Sequence, residues 1–220
     1  MKKKKICTAI CFLIAFVLWT VLVKSVEVKA IGPEGSVVGF STINKFIHEL
    51  TGVNWFLYIL TDWLGLVPIA VAFSFAILGL VQLIKRKSLL KVDYNILALG
   101  VFYIVVIAVY ILFEIVVINY RPTLIIGYLE ASYPSSTTML VMCVMPTAAM
   151  QMNMRIKNVI FRRCILFIII AFTVFMVFGR LWSGVHWITD IIGGVLASSG
   201  LVMLYKSVVD SNFIDIHKSV

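Results

Sequence analysis

Six stretches of this 220-residue chain are apolar enough to be read as crossing a bilayer, at about 6–23, 67–84, 96–118, 137–152, 164–178 and 188–205. A hydrocarbon core about 30 Å thick takes roughly 20 residues of helix. Inside it, every backbone N–H and C=O must find a partner within the segment. A chain so constrained has one practical solution, helix packed on helix. Composition agrees: 62% of the residues are hydrophobic and only 13% charged, which excludes a disordered chain and an ordinary water-soluble domain. We therefore expect one membrane-embedded domain over residues 1–220, an all-α bundle of six spans. The fourth stretch is short and polar at its start.

The N-terminus offers a second reading. Lys2 to Lys5 ahead of an apolar run resembles a secretory signal, and Ala30 supplies a small residue where cleavage would fall. Residues 6–23 nevertheless exceed a usual signal core and suffice to cross, so the sequence predicts a retained first span. The longest connection follows at 24–66. Gly32-Pro33 and Gly35 mark turns. Residues 41–50 then read as a helix, capped by Ser41 and stopped by Gly52. Trp55, Phe56, Tyr58 and Trp63 suggest a segment in the headgroup region, where amphipathic aromatics settle. Cys7, Cys11, Cys143 and Cys164 all sit in or beside apolar stretches, so they indicate neither a disulfide framework nor a metal site. His48 and His217 stand alone and read as solvated.

Nineteen Lys and Arg against ten Asp and Glu leave a net charge of +9, a figure that suggests nucleic acid until the charges are placed. With the N-terminus inside, the inner set is Lys2 to Lys5, Lys85, Arg86, Lys87, Lys91, Arg155, Lys157, Arg162, Arg163, Lys206 and Lys218. Only Lys24, Lys29, Lys45, Arg121 and Arg180 remain outside. Fourteen against five follows the positive-inside rule for a cell-membrane protein with both termini cytoplasmic. The charge is a topology signal, and nucleic-acid binding drops out.

The same topology gathers polar residues at the outer face. Arg121-Pro122 follows the third span, Tyr133-Pro134-Ser135-Ser136-Thr137-Thr138 leads into the fourth, Arg180 ends the fifth, and His186 with Asp190 opens the sixth. Four residues apart, His186 and Asp190 share a helix face. A carboxylate there can fix the imidazole tautomer and leave the other nitrogen free to attack. A guanidinium offers a planar fork for phosphate oxygens. A helix N-terminus carrying Ser135 and Ser136 offers free N–H groups to an anion. Each feature alone also has an ordinary structural explanation, as a cap or as a snorkelling side chain.

Taken in order, Arg-Pro, Pro-Ser and Arg-x(5)-His-x(3)-Asp resemble the three blocks of the type 2 phosphatidic acid phosphatase superfamily. The resemblance covers residues 114–190 in motifs and most of the chain in layout. It implies a membrane lipid phosphatase or phosphotransferase that needs no metal or cofactor. His186 would be the nucleophile of a phosphohistidine intermediate and Asp190 its orienting partner. Arg121, Arg180, Ser135 and Ser136 would bind the phosphoryl oxygens.

Three departures stand out. Glu114 occupies the position of the first block's lysine, Ser136-Thr137 replaces Gly-His in the second, and Gly179 replaces the serine before Arg180. Glu114 pairing with Arg121 or Arg180 is the reading ranked first. Protonation by apolar surroundings and a turn toward another helix are the others. Thr137 removes a general acid, a function typically worth about 10²–10⁴ in rate. The loss matters least when the leaving group is itself a phosphate, so the expected substrate is a lipid diphosphate such as a polyprenyl diphosphate. The alternative is an impaired member acting as a lipid-phosphate-binding or regulatory protein.

Overall fold

The computed structural model describes the backbone of residues 2–218 and the side chains of residues 3–210. The side chains of Lys2, His217 and Lys218 lie outside the described residues. Among the described residues eight α-helices follow one another: α1 (Lys2–Ser25), α2 (Ser41–Thr51), α3 (Trp55–Leu64), α4 (Leu66–Arg86), α5 (Tyr94–Ile115), α6 (Ser136–Arg155), α7 (Val159–Trp182) and α8 (Ile188–Lys218). A two-residue antiparallel pair, Lys29–Ala30 with Val37–Val38, is the one sheet among the described residues.

Five segments among the described residues are long and apolar enough to cross a membrane: Lys3–Ser25, Trp55–Arg86, Tyr94–Ile115, Val159–Trp182 and Ile188–Asp210. The chain is a multi-pass, all-helical membrane protein. The fourth expected span, α6, is a helix of 20 residues that is too polar to count among these five. Its position explains why. It packs against α4, α5, α7 and α8, so its polar side chains meet protein instead of lipid. Thr147 Oγ1 donates to the Cys143 carbonyl at 2.8 Å, and Gln151 Nε2 donates to the Tyr205 hydroxyl at 2.8 Å. Both side chains are fully buried.

Small residues on α8 permit close approach. A Cβ on Gly193 would lie 2.5 Å from the Tyr133 ring, and one on Gly200 would lie 2.7 Å from Leu13 of α1. At one end of the bundle Lys5 of α1 pairs with Asp210 of α8. At the same end Asp93 ion-pairs with Arg86 at 2.9 Å and Arg155 at 3.5 Å, tying α4, α5 and α6 together. The motif residues occupy the opposite end.

Several boundaries differ from expectation. The third span ends at Ile115 instead of 118, so residues 116–118 belong to the following loop. The aromatic segment at 55–63 is α3, continued almost directly by α4 through Gly65. Ser41 does not cap α2. Phe40, in the left-handed region at φ 48°, holds that position, and Gly52 at φ 59° stops the helix as anticipated. α2 is tied to the start of α8 through the buried Asn44. Its Nδ2 donates to Gly39 O at 2.7 Å and Thr189 Oγ1 at 3.1 Å, and its Oδ1 accepts from Thr189 N at 3.3 Å.

Candidate functional site

Two loops and three helix ends meet at the motif end. The loop after α5 folds back on itself in a short ladder: Arg121 N donates to Glu130 O at 3.0 Å, and Ser132 N donates to Asn119 O at 2.9 Å. That register places Asn119 and Arg121 beside Ser132 and Glu130. The last turn of α7 contributes Arg180, the α7–α8 turn His186, and the first turn of α8 Asp190. Arg121, Ser132, Ser135, Arg180, His186 and Asp190 are all buried.

Asp190 is held from three sides. Asn119 Nδ2 donates to Oδ1 at 3.1 Å, Trp187 N donates to Oδ2 at 3.0 Å, and the Ser132 hydroxyl also donates to Oδ2. The direct contact to His186 Nδ1 expected from the four-residue spacing is 3.9 Å, beyond hydrogen-bond length. Ser132 Oγ lies between, 3.0 Å from Nδ1.

The other imidazole nitrogen, Nε2, faces two guanidinium groups, Arg121 Nη1 at 3.2 Å and Arg180 Nη2 at 3.3 Å. Guanidinium groups donate and never accept, so Nε2 carries no proton and the ring is neutral with its hydrogen on Nδ1. Burial, reinforced by the charges of Arg121 and Arg180, holds the His186 pKa well below the ordinary histidine range.

Each arginine also meets a carboxylate. Arg121 Nε lies 3.0 Å from Glu130 Oε2, and Arg180 Nη1 lies 3.7 Å from Asp62 Oδ1. Arg180 further stacks over the Tyr58 ring at 5.1 Å and approaches Thr61 Oγ1 at 3.4 Å. Buried Arg180 Nε, Ser135 Oγ and Thr138 Oγ1 have no hydrogen-bond partner among the described residues. Ser135 is the N-cap of α6 and makes no side-chain cap bond. Unpaired buried donors beside a helix N-terminus suit an anion.

The PAP2 superfamily profile matches residues 101–214, just over half of the chain. This chain belongs to the PAP2 superfamily. No curated protein sequence matches it. It is similar in fold to a solved structure described as the first transmembrane PAP2 type phosphatidylglycerolphosphate phosphatase from Bacillus subtilis. The TM-score is 0.56 and the identity 19%, over 93% of this chain and 96% of that one.

Against the superfamily pattern, the three departures now have surroundings. Gly179 lets α3 approach α7, because a Cβ there would come within 2.8 Å of Thr61 Cγ2. Glu114 does not pair with either arginine, as ranked first from sequence, since Glu130 and Asp62 take those places. The α-helix ends at Ile115, which breaks the helical register assumed between positions 114 and 121. Glu114 instead partners Tyr110 and borders a small cleft with Ser132, Tyr133 and Ser136. Thr137 turns into an apolar cleft of about 410 Å³ between α4, α5 and α6, lined by Ile69, Ala72, Val106 and Ile107.

Trp187 is buried, donating from Nε1 to Tyr120 O at 2.7 Å, whereas Trp182 is exposed. One expectation at the edge fails. His48 is half-buried against the Trp187 ring at 5.5 Å instead of solvated. Sequence reasoning missed Asn119, Ser132, Glu130 and Asp62. The first three come together only where the loop turns back at Gly127, setting Asn119 opposite Ser132 and Arg121 opposite Glu130, a pairing the loop signals hid. Asp62 carried no signal.

Proposed function

We propose that this PAP2 protein is a membrane lipid phosphatase or phosphotransferase that acts through a phosphohistidine on His186. One observation carries the reading: Arg121 and Arg180 converge on the bare Nε2 of a neutral imidazole whose other nitrogen is tied back toward Asp190. In the reaction, the Nε2 lone pair bonds to phosphorus as the bond to the leaving oxygen breaks, and that oxygen departs with the electron pair. Water then attacks the phosphohistidine, releases phosphate and restores the ring. The two guanidinium groups move from Nε2 to the phosphoryl oxygens, with Ser135 and the free N–H groups of Ser136 and Thr137 completing the cradle. Nδ1 keeps its proton throughout.

The substrate class follows from what faces the leaving group. Thr137 supplies no acid, and Glu130 is engaged with Arg121. A leaving group that departs as a phosphate needs no proton, which favours a polyprenyl diphosphate over a phosphate monoester. The apolar cleft bordered by Thr137 accommodates the hydrocarbon. The basic end of the bundle faces the cytoplasm with both termini, and the site faces outward.

Phosphate release by purified protein in detergent, from a polyprenyl diphosphate and from phosphatidic acid, tests both points. The diphosphate turns over faster, and His186→Ala abolishes release. Faster turnover of the monoester overturns the leaving-group argument, and undiminished release by His186→Ala removes the nucleophile. The same missing acid favours one further reading, an impaired member that binds lipid phosphate without turning it over. Saturable binding with no release from either lipid would select it.

A further inference from the structure

We infer that Ser132 is a positioning residue whose hydroxyl, bridging Asp190 to His186, sets the imidazole tautomer that leaves Nε2 bare. The inference rests on the catalytic reading above for its purpose but not for its geometry. A serine hydroxyl has one proton, and the Asp190 carboxylate only accepts, so that proton goes to Oδ2. The Ser132 lone pair then faces Nδ1 at 3.0 Å, and Nδ1 must be the donor. From the far side of the ring, two guanidinium groups at 3.2 and 3.3 Å independently require Nε2 to be the acceptor. Both constraints select one tautomer.

Asp190 cannot do this alone. Its 3.9 Å separation from Nδ1 leaves no hydrogen bond, and its remaining contacts to Asn119 and Trp187 N fix it as a cap on α8. Ser132 is itself fixed by its backbone N–H on Asn119 O at 2.9 Å. When phosphorus bonds to Nε2 the ring gains positive charge. The chain Nδ1–H to Oγ–H to Oδ2 then carries the stabilising influence of the carboxylate to it. Ser132 lies behind the imidazole, on the side away from Nε2.

The experiment is ¹⁵N NMR of the full chain labelled at its three histidines, in detergent, with His186 assigned by its loss in His186→Ala. With inorganic phosphate bound, which draws the two guanidinium groups off Nε2 and leaves the Ser132 side alone to hold the tautomer, wild type keeps the Nδ1-protonated form and Ser132→Ala gives a mixture of tautomers. With the diphosphate as substrate, Ser132→Ala lowers kcat roughly ten- to hundredfold, the usual cost of losing a group that orients a reacting one. KM stays the same, whereas Ser135→Ala raises KM. An unchanged tautomer in Ser132→Ala overturns the inference and assigns the role to the Ser132 backbone carbonyl, which also favours the Nδ1 proton and survives the substitution. A loss confined to KM overturns it equally. Wild type that releases no phosphate defeats the functional reading, while the tautomer comparison still decides Ser132. Should Ser132→Ala fail to fold, Ser132→Cys, close in volume and weak as a donor, carries the same comparison.

Discussion

At the residue scale, the decisive fact is a neutral histidine enclosed by cations. A base whose pKa is depressed on folding stays unprotonated as the solution is acidified through its ordinary range. The acid limb of kcat/KM should therefore fall below pH 6.5, the reference histidine value. Stability carries the same sign. The unfolded ring takes up a proton near its ordinary pKa while the folded ring does not, so this contribution is full above that value. It declines as pH falls from there toward the folded pKa. A profile whose acid limb sits at or above the ordinary histidine range would contradict the charge arrangement. A second test concerns Gly179. Gly179→Ser places a Cβ 2.8 Å from Thr61 Cγ2 and should cost about 1–3 kcal/mol by overpacking. Thr61→Ser in the same chain should recover most of it, as thermal unfolding in detergent would show.

At the scale of elements, what was legible depended on whether a role was local. His186 and Asp190 were readable from one helical turn, and Ser135 from its place before a helix. Arg180 was readable from its spacing to His186. Ser132 and Asn119 were not, because they meet only when the loop after α5 doubles back and pairs Asn119 O with Ser132 N. The expected direct Asp190 contact failed for the same reason, since a residue from another element fills the gap. Spans with lipid on most sides announced themselves by apolar length, and α6 hid because protein surrounds it. The connection at 24–66 holds a comparable long-range tie in Asn44, which joins α2 to the first turn of α8. Asn44→Ala removes buried hydrogen bonds to Gly39 and Thr189 and should cost about 1–3 kcal/mol. Faster proteolysis within 26–54 in detergent would register the loss. Unchanged protection would show that α2 is held by other contacts.

For the whole molecule, the polarity of the bundle is the claim most open to direct measurement. The basic end and the motif end are distinct, and the positive-inside rule assigns them to opposite sides of the membrane. In a variant lacking the native cysteines, Glu34→Cys should react in intact cells with a membrane-impermeant thiol reagent. Lys157→Cys should react only after the cells are opened. The reverse pattern would invert the topology and put the phosphate site on the cytoplasmic side.

The composition of α6 has a consequence for biosynthesis. A segment too polar to partition into lipid unaided must be accommodated together with neighbours that shield it, and α8, which packs along it, follows it in the chain. The cradle at Ser135 thus waits on the synthesis of α8, and a nascent protein halted before that helix would leave one side of its polar helix uncovered.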